Sequence, residues 1–238
     1  MTLKDLESLF TASGGQFLTP VTDLANRIQQ VKAFVFDWDG VFNNGSKLGA
    51  QGSSFSEIDS MGTNLMRYAY FLQHNQQLPV MALISGERNE PALFFSKREF
   101  WNQCYFKAGN KALALDHFCA HHQLHPNQIA YFFDDVLDLP IAKACGMRIM
   151  VNSKATILFK HYVQQHCLAD YISANSGSMH AVRECTELCM GLMQQYQHVV
   201  DQRIAFSASY KHYLSVRAEV TTQAFTQIDS KICSADGF

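Results

Sequence analysis

The sequence has little charge of either sign and no long apolar run. Its 238 residues include 19 Lys and Arg and 21 Asp and Glu, which gives a formal net charge of −2. A chain with this balance has no overall positive field for nucleic acid or an anionic membrane, so an anionic ligand would need a local site. A membrane span would need a run of roughly 18–20 apolar residues, which the sequence lacks. The 47% of apolar residues is ordinary for a globular protein.

Signals for export and for a disulfide framework are also missing. The seven cysteines form no CxxC pair, and the N-terminal MTLKDLESLF lacks the basic and apolar segments of a signal peptide. We therefore expect free thiols, mostly buried, in a cytoplasmic protein.

Short apolar runs alternate with helical patterns through the middle of the chain. The strand-like runs are 31–36, 78–84, 103–106, 128–133 and 148–151, with a further edge strand within 170–173. This alternation predicts an α/β fold with a Rossmann-like parallel sheet and right-handed crossovers.

The chain divides into three parts by the same patterns. Residues 1–30 are predicted to form a helical N-terminal extension, 31–192 the α/β domain, and 193–238 a helical C-terminal extension. Within the α/β domain, residues 41–58 are rich in Gly, Ser and Asn and are expected to form a β-hairpin flap. The helical pattern of the tail is predicted to run over 180–228, with a break near Ser207–Ser209.

Polar and charged side chains follow the ends of the predicted strands. They are Asp37 and Asp39 after the first strand, Ser85 after the second, Lys111 at a helix start, and Asp134 and Asp135 after a later strand. Ligands of open α/β sheets bind beyond the carboxyl ends of the strands, so these groups are expected to meet there. Crowded carboxylates need a cation, and oxygen ligands favour Mg²⁺. Together with a hydroxyl and an ammonium group they suit a phosphoryl group.

The spacing of Asp37 and Asp39 suits a two-step hydrolysis. Asp37 could attack phosphorus and form an aspartyl-phosphate. Asp39, two residues later, could protonate the leaving alkoxide and then deprotonate the attacking water. Gly40 would let the backbone turn away from the strand without a steric penalty.

Four segments resemble the motifs of the haloacid dehalogenase superfamily. They are FDWDGVFNNG (36–45), ISG (84–86), GNK (109–111) and FDDVLDLP (133–140). The resemblance covers roughly residues 31–192 and is closer to the capless phosphatases that act on 3-deoxy-D-manno-octulosonate 8-phosphate or nine-carbon sialic-acid-type 9-phosphates. It implies a Mg²⁺-dependent phosphatase whose catalytic domain is the segment 31–192.

The resemblance also implies a role for each matching residue. Asp37 would be nucleophile and metal ligand, and Asp39 the general acid/base with its carbonyl on the metal. Ser85 and Lys111 would hold the phosphoryl group. The remaining carboxylates are Asp134, expected as a metal ligand, and Asp135 and Asp138, expected to orient Lys111 and metal-bound water.

The resemblance also implies a set of substrate contacts. They are Asn43, Asp59, Gly86, Glu87 and Arg88. Glu87 stands where octulosonate phosphatases often have Arg, and with Asp59 it resembles the nine-carbon branch. Phe133 replaces the usual Gly before the acidic pair.

Capless relatives are typically tetramers, so a homo-oligomer acting on a small phosphorylated sugar acid is the implied assembly. A catalytically degenerate homologue with a structural or binding role is the alternative, favoured slightly by Phe133. A receiver-type signalling domain shares carboxylates, a hydroxyl and a Lys, but its acidic pair normally follows the first strand, the reverse of the order found here.

Overall fold

The computed structural model describes residues 1–49 and 52–235. The strands are β1 Gln16–Phe17, β2 Ala33–Phe36, β3 Val80–Ile84, β4 Gln103–Phe106, β5 Ile129–Phe133, β6 Met147–Met150, β7 Tyr171–Ile172, β8 Gln223–Ile228 and β9 Lys231–Ser234. The helices are α1 Leu3–Ala12, α2 Val21–Ile28, α3 Glu57–Gln73, α4 Glu90–Arg98, α5 Lys111–His122, α6 Leu139–Ala144, α7 Ile157–Gln165, α8 Ala181–Leu192, α9 Tyr196–Ile204 and α10 Ala208–Ala218. None of the helices in these ranges is long and apolar enough to cross a membrane.

All nine strands join one sheet in the order β1-β7-β6-β5-β2-β3-β4-β8-β9. Every pairing is parallel except those of the two outermost strands, β1 with β7 and β9 with β8. The chain runs from β2 outward through β3 and β4, and then returns to place β5 on the other side of β2. This reversal opens a crevice at the carboxyl ends of β2 and β5, the usual position of a ligand site in such a sheet. The predicted α/β fold with a parallel, Rossmann-like sheet is confirmed.

The central strands are buried on both faces, which explains their continuous apolar sequences. Along β2, Phe34 and Phe36 enter the core under α1, α2, α3 and α8, while Ala33 and Val35 face the core under α5, α6 and α7. Phe133 is fully buried in the second core and stacks on Tyr131 with 5.9 Å between ring centroids. The bulky side chain at this position is therefore accommodated by core packing.

The C-terminal extension differs from the all-helical prediction. Helices α9 and α10 are present, but the chain after Ala218 forms β8 and β9 instead of continuing as a helix to 228. Strand β8 pairs in parallel with β4, with Tyr105 opposite Phe225. The helical prediction for 223–228 was wrong because pairing with a distant edge strand outweighs local preference.

The Gly-rich segment after β2 is a loop and not a strand pair within residues 41–49 and 52–56. Leu48 N donates a hydrogen bond to Gly52 O at 2.9 Å. The tip of the expected hairpin, residues 50–51, lies outside the described residues. Helix α3 begins at Glu57, within the segment 41–58 that was expected to form the flap, because the side chain of Ser56 accepts a hydrogen bond from Ile58 N.

The N-terminal extension is fastened to the sheet through the buried carboxylate of Asp170. Its Oδ1 accepts hydrogen bonds from Thr19 Oγ1 at 2.8 Å and from Arg27 Nη1 at 3.0 Å. Arg148, on β6, donates to both oxygens, at 3.1 Å through Nε and 2.6 Å through Nη2. The extension is therefore part of the same folded unit as the sheet.

The seven cysteines are free thiols in the described chain, as expected. Four are buried, namely Cys104, Cys145, Cys185 and Cys189.

Candidate active site

The carboxyl ends of β2 and β5 bring Asp37, Lys111 and Asp138 into direct contact. Lys111 Nζ lies 2.6 Å from Asp37 Oδ1 and 2.5 Å from Asp138 Oδ1. All three residues are buried, with exposures of 6%, 4% and 0%. Lys111 is the first residue of α5, whose N-terminus is capped by Asn110 through Ala112 N at 3.2 Å. The cap fixes where the helix starts and hence where Lys111 enters the crevice.

Asp138 holds Lys111 and has little capacity for further partners. Its Oδ1 also accepts the hydroxyl of Tyr131 at 2.5 Å, and its Oδ2 accepts Asp135 N at 3.2 Å. Asp135 caps the short helical turn 136–138 through Val136 N at 2.6 Å. Asp138 therefore contacts Lys111 directly, whereas Asp135 is exposed and shapes the backbone of the turn.

Asp134 presents a carboxylate without a partner among the described residues. Its Oδ1 is buried and accepts no hydrogen bond from them. An atom added at the Cβ position of Gly40 would lie 1.8 Å from Asp134 Oδ2, so the carboxylate packs directly against the Gly40 backbone. Gly40 also has a φ of +84°, which favours glycine. The DxDG motif therefore needs its glycine both for the turn and to admit Asp134.

The carboxylates repel one another in this dry crevice. Burial raises the pKa of Asp37 to about 7, with a further contribution from the charge of Asp138 and an opposing one from Lys111. Burial also raises the pKa of Asp134 to about 9, helped by the charges of Asp37, Asp138 and Asp135. Burial alone would lower the pKa of Lys111, but Asp37 and Asp138 outweigh it and raise that pKa above its ordinary value. Lys111 is therefore cationic.

These residues fit a divalent cation. Oxygens of Asp37, Asp134 and Asp138 lie within 4.8 Å of one another. Because Asp138 is occupied by Lys111 and Tyr131, Asp37 and Asp134 are the carboxylates available to such an ion. A buried, unpartnered carboxylate oxygen beside a second carboxylate is the donor set that hard cations prefer.

Asp39 lies in the same cleft but has a different environment. Its Oδ1 accepts the hydroxyl of Ser53, and its Oδ2 pairs with Lys47 and accepts Asn89 Nδ2 at 3.0 Å. Ser53 is held in turn by Trp38 Nε1, which donates to its hydroxyl oxygen at 3.0 Å. Asp39 is therefore fixed to the 41–56 loop and to the segment after β3.

The segment after β3 supplies the other wall of the cleft. Gly86 and Glu87 line it together with Asp37, Asp39 and Lys111, and the enclosed volume is about 320 Å³. Ser85 is buried at the end of β3, and its hydroxyl oxygen accepts Glu87 N at 3.4 Å.

Two of the residues expected at the substrate lie elsewhere, and a third lines a neighbouring cavity. Asp59 is fully buried and accepts Arg183 N at 2.9 Å, so it caps the beginning of α8 rather than lining the cleft. Arg88 pairs with Glu90 at 2.7 Å on the surface. Asn43 lines a neighbouring cavity, and its Oδ1 accepts Gly45 N at 2.8 Å.

The sequence interpretation did not single out Lys47, Ser53 or Asn89, which surround Asp39. Ser53 and Asn89 are buried polar residues in loops, and no local pattern marks such a position. Lys47 carried the one usable signal, because it is the lone cation in a loop of small polar residues that follows the DxDG motif.

No protein-family model matches the sequence. The curated 3-deoxy-D-manno-octulosonate 8-phosphate phosphatase of Yersinia pestis is 24% identical over 172 residues, which cover 71% of this chain and 84% of that protein. A probable YrbI family phosphatase from Pseudomonas syringae has a similar structure, with a TM-score of 0.63, 26% identity and coverage of 77% and 98%. The octulosonate 8-phosphate phosphatase of Moraxella catarrhalis, solved with magnesium, phosphate and KDO, has a TM-score of 0.62 at 20% identity, covering 76% and 98%.

About a quarter of this chain lies outside the alignment with each of these two structures. The motifs at the strand ends and the crevice that they form are consistent with the similarity to these phosphatases. In sequence and in fold this chain is similar to these phosphatases.

Proposed function

We propose that this protein hydrolyses a phosphorylated sugar acid with Mg²⁺, through an aspartyl-phosphate on Asp37. The single observation that carries the proposal is the contact of buried Asp37 with Lys111 beside the unpartnered carboxylate of Asp134. The names of the relatives supply one candidate substrate, 3-deoxy-D-manno-octulosonate 8-phosphate. A nine-carbon 9-phosphate is the other candidate, because Glu87 and Asp59 resemble that branch.

In the first step the Asp37 carboxylate attacks phosphorus, and the bond between phosphorus and the sugar oxygen breaks. Lys111, held by Asp138, pairs with the phosphoryl oxygens and limits their repulsion with Asp37. Mg²⁺ bound by Asp37 and Asp134 would neutralise part of the charge on the phosphoryl group. Asp39 gives its proton to the leaving sugar oxygen.

In the second step Asp39 takes a proton from water, whose oxygen attacks the phosphorus of the aspartyl-phosphate. The bond to Asp37 breaks and inorganic phosphate leaves. The carboxylate of Asp39 accepts hydrogen bonds from Ser53 and Asn89 and pairs with Lys47, so its position in the cleft is fixed. Its contact with Lys47 has to open when Asp39 acts as acid.

The proposal is tested by phosphate release from 3-deoxy-D-manno-octulosonate 8-phosphate, N-acetylneuraminate 9-phosphate and fructose 6-phosphate, with Mg²⁺ or with EDTA. Wild-type protein should release phosphate from a sugar acid only when Mg²⁺ is present. Asp37→Asn should abolish turnover, and Asp39→Asn should lower kcat by roughly 10²–10⁴-fold.

The matched control is Asp116→Asn, which removes a carboxylate from an exposed position on α5, the helix that begins with Lys111. It should keep wild-type kcat, and all variants should keep the wild-type circular dichroism spectrum. Folded wild-type protein that releases phosphate from none of the substrates would overturn the proposal in favour of a degenerate homologue.

A further inference from the structure

A second cavity of about 600 Å³ adjoins the cleft that contains Asp37. The two share Gly40, Asn44 and Asp134 as lining residues, so one elongated molecule could occupy both. The volume is within the range of roughly 300–1,000 Å³ typical of small-molecule sites. A substrate with its phosphate at Asp37 would extend its remaining atoms into this second cavity.

The side chains of the second cavity suit a polyhydroxylated molecule. Most are uncharged amides and hydroxyls, namely Asn43, Asn44, Asn152, Asn175, Ser153, Ser176 and Ser178. Amide and hydroxyl groups both donate and accept hydrogen bonds, as sugar hydroxyls do. Among the described residues the lining contains no aromatic side chain, so recognition there depends on polar contacts.

Charge in this cavity is confined to two of the described residues. Asp134 lies where the cavity meets the cleft, and Lys154 lies on the loop after β6. Lys154 does not line the cleft and forms no salt bridge or side-chain hydrogen bond within residues 1–49 and 52–235. Its ammonium group is therefore available to an anionic group remote from the phosphate.

The loop that carries Lys154 is held in place by the buried hydroxyl of Ser173. Asn152 N donates to Ser173 Oγ at 2.9 Å, and that hydroxyl donates to Asn175 O at 2.6 Å. Lys160 Nζ also donates to Asn152 Oδ1 at 3.2 Å. These bonds tie together two walls of the cavity, the segments after β6 and β7, so its polar groups are positioned before a ligand arrives.

We propose that this cavity binds the sugar portion of the substrate and that Lys154 determines specificity by pairing with its carboxylate. The inference rests on the proposed function. It identifies the Lys154 ammonium as the group that distinguishes a sugar acid from a neutral sugar. Loss of a charge-assisted contact of this kind corresponds to roughly a tenfold loss of affinity.

The test compares Lys154→Met with Lys32→Met. Lys32 is exposed and immediately precedes β2, at the opposite edge of the sheet from the site, so its replacement removes the same charge without touching the cavity. Both variants and wild type are assayed with 3-deoxy-D-manno-octulosonate 8-phosphate and with fructose 6-phosphate, which has no carboxylate. Calorimetry with unphosphorylated 3-deoxy-D-manno-octulosonate measures binding without turnover.

Lys154→Met should raise KM for the sugar-acid phosphate by roughly tenfold, leave kcat near wild type and change fructose 6-phosphate hydrolysis by less than about twofold. Lys154→Met should also weaken binding of the free acid, whereas Lys32→Met should change neither the kinetics nor the binding.

Equal kinetics of Lys154→Met and wild type on the sugar-acid phosphate would overturn the inference and leave the proposed function standing. Equal losses on both substrates would overturn it too, since Lys154 would then act on the phosphoryl group. Wild type without turnover would refute the proposed function, while loss of acid binding in Lys154→Met alone would still support the cavity.

Discussion

Gly40 and Gly45 provide a matched pair that isolates the packing of Asp134. Both have positive φ, +84° and +75°, so an alanine at either position costs roughly 1–2 kcal/mol of backbone strain. Only Gly40 faces the carboxylate, because an added Cβ would lie 1.8 Å from Asp134 Oδ2, whereas at Gly45 the nearest atom is 4.0 Å away. Both substitutions thus introduce backbone strain, and only Gly40→Ala adds a steric clash with Asp134.

In the Gly40→Ala protein, Asp134 would have to move by about 1.6 Å to reach the 3.4 Å of an ordinary contact with the added methyl group. A misplacement of about 1 Å in an active site can cost on the order of 100-fold in rate. Gly40→Ala should therefore lower kcat/KM by roughly 100-fold or more relative to Gly45→Ala, and should raise the Mg²⁺ concentration for half-maximal activity. Urea unfolding should show similar losses of stability in both variants, since Asp134 can move toward the open cleft.

The assay is phosphate release over a Mg²⁺ series, with stability measured by urea unfolding in EDTA. Equal kcat/KM and equal Mg²⁺ dependence in the two variants would refute the reasoning. Gly40 would then matter only for its backbone conformation, and Asp134 would not depend on its neighbour for position.

Two further predictions concern Asp170 and Ser53. Burial raises the pKa of Asp170, but hydrogen bonds and charges from Arg148 and Arg27 outweigh it and hold that pKa below its ordinary value. Its stabilisation is therefore complete above the unfolded pKa of about 3.9 and is lost as pH falls through the folded pKa. Asp170→Asn should cost about 3 kcal/mol at pH 7 by urea unfolding, and a deficit that does not shrink below about pH 4 would contradict this. Ser53→Ala removes a donor to Asp39 and should lower kcat by about tenfold with little change in KM; an unchanged kcat would mean that this bond does not position Asp39.

The chemistry at the strand ends could be predicted because parallel sheets obey simple rules. The buried strands 33–36 and 129–133 are continuous apolar runs, and the polar residue that follows each one must lie at the same sheet edge. That rule alone places Asp37 and Asp134 together without any knowledge of loops. The contact of Lys111 with Asp37 follows in the same way from a helix that begins at that edge.

The groups around Asp39 could not be predicted from the same rules. Asn89 is 50 residues away in sequence, and Ser53 lies in a loop whose path depends on what it packs against. Asp59 was expected at the substrate only because the segment around it resembles the nine-carbon branch. The structure uses it to accept Arg183 N, 124 residues further on. A local pattern carries no information about such partners.

The C-terminal extension shows how a segment missed by sequence reasoning still bears on the site. Strand β8 has the sequence QAFTQI, in which only Phe225 and Thr226 are buried, so neither alternation nor an apolar run distinguishes it. Yet Gln227 Oε1 in this strand accepts Asn110 N at 3.0 Å, and Asn110 is the cap from which α5 and Lys111 begin. Because the lysine's position depends on that helix start, the strand added by the extension supports the cation that faces Asp37. The extension therefore contributes to the placement of a group in the cleft while lying outside the segment that resembles the family.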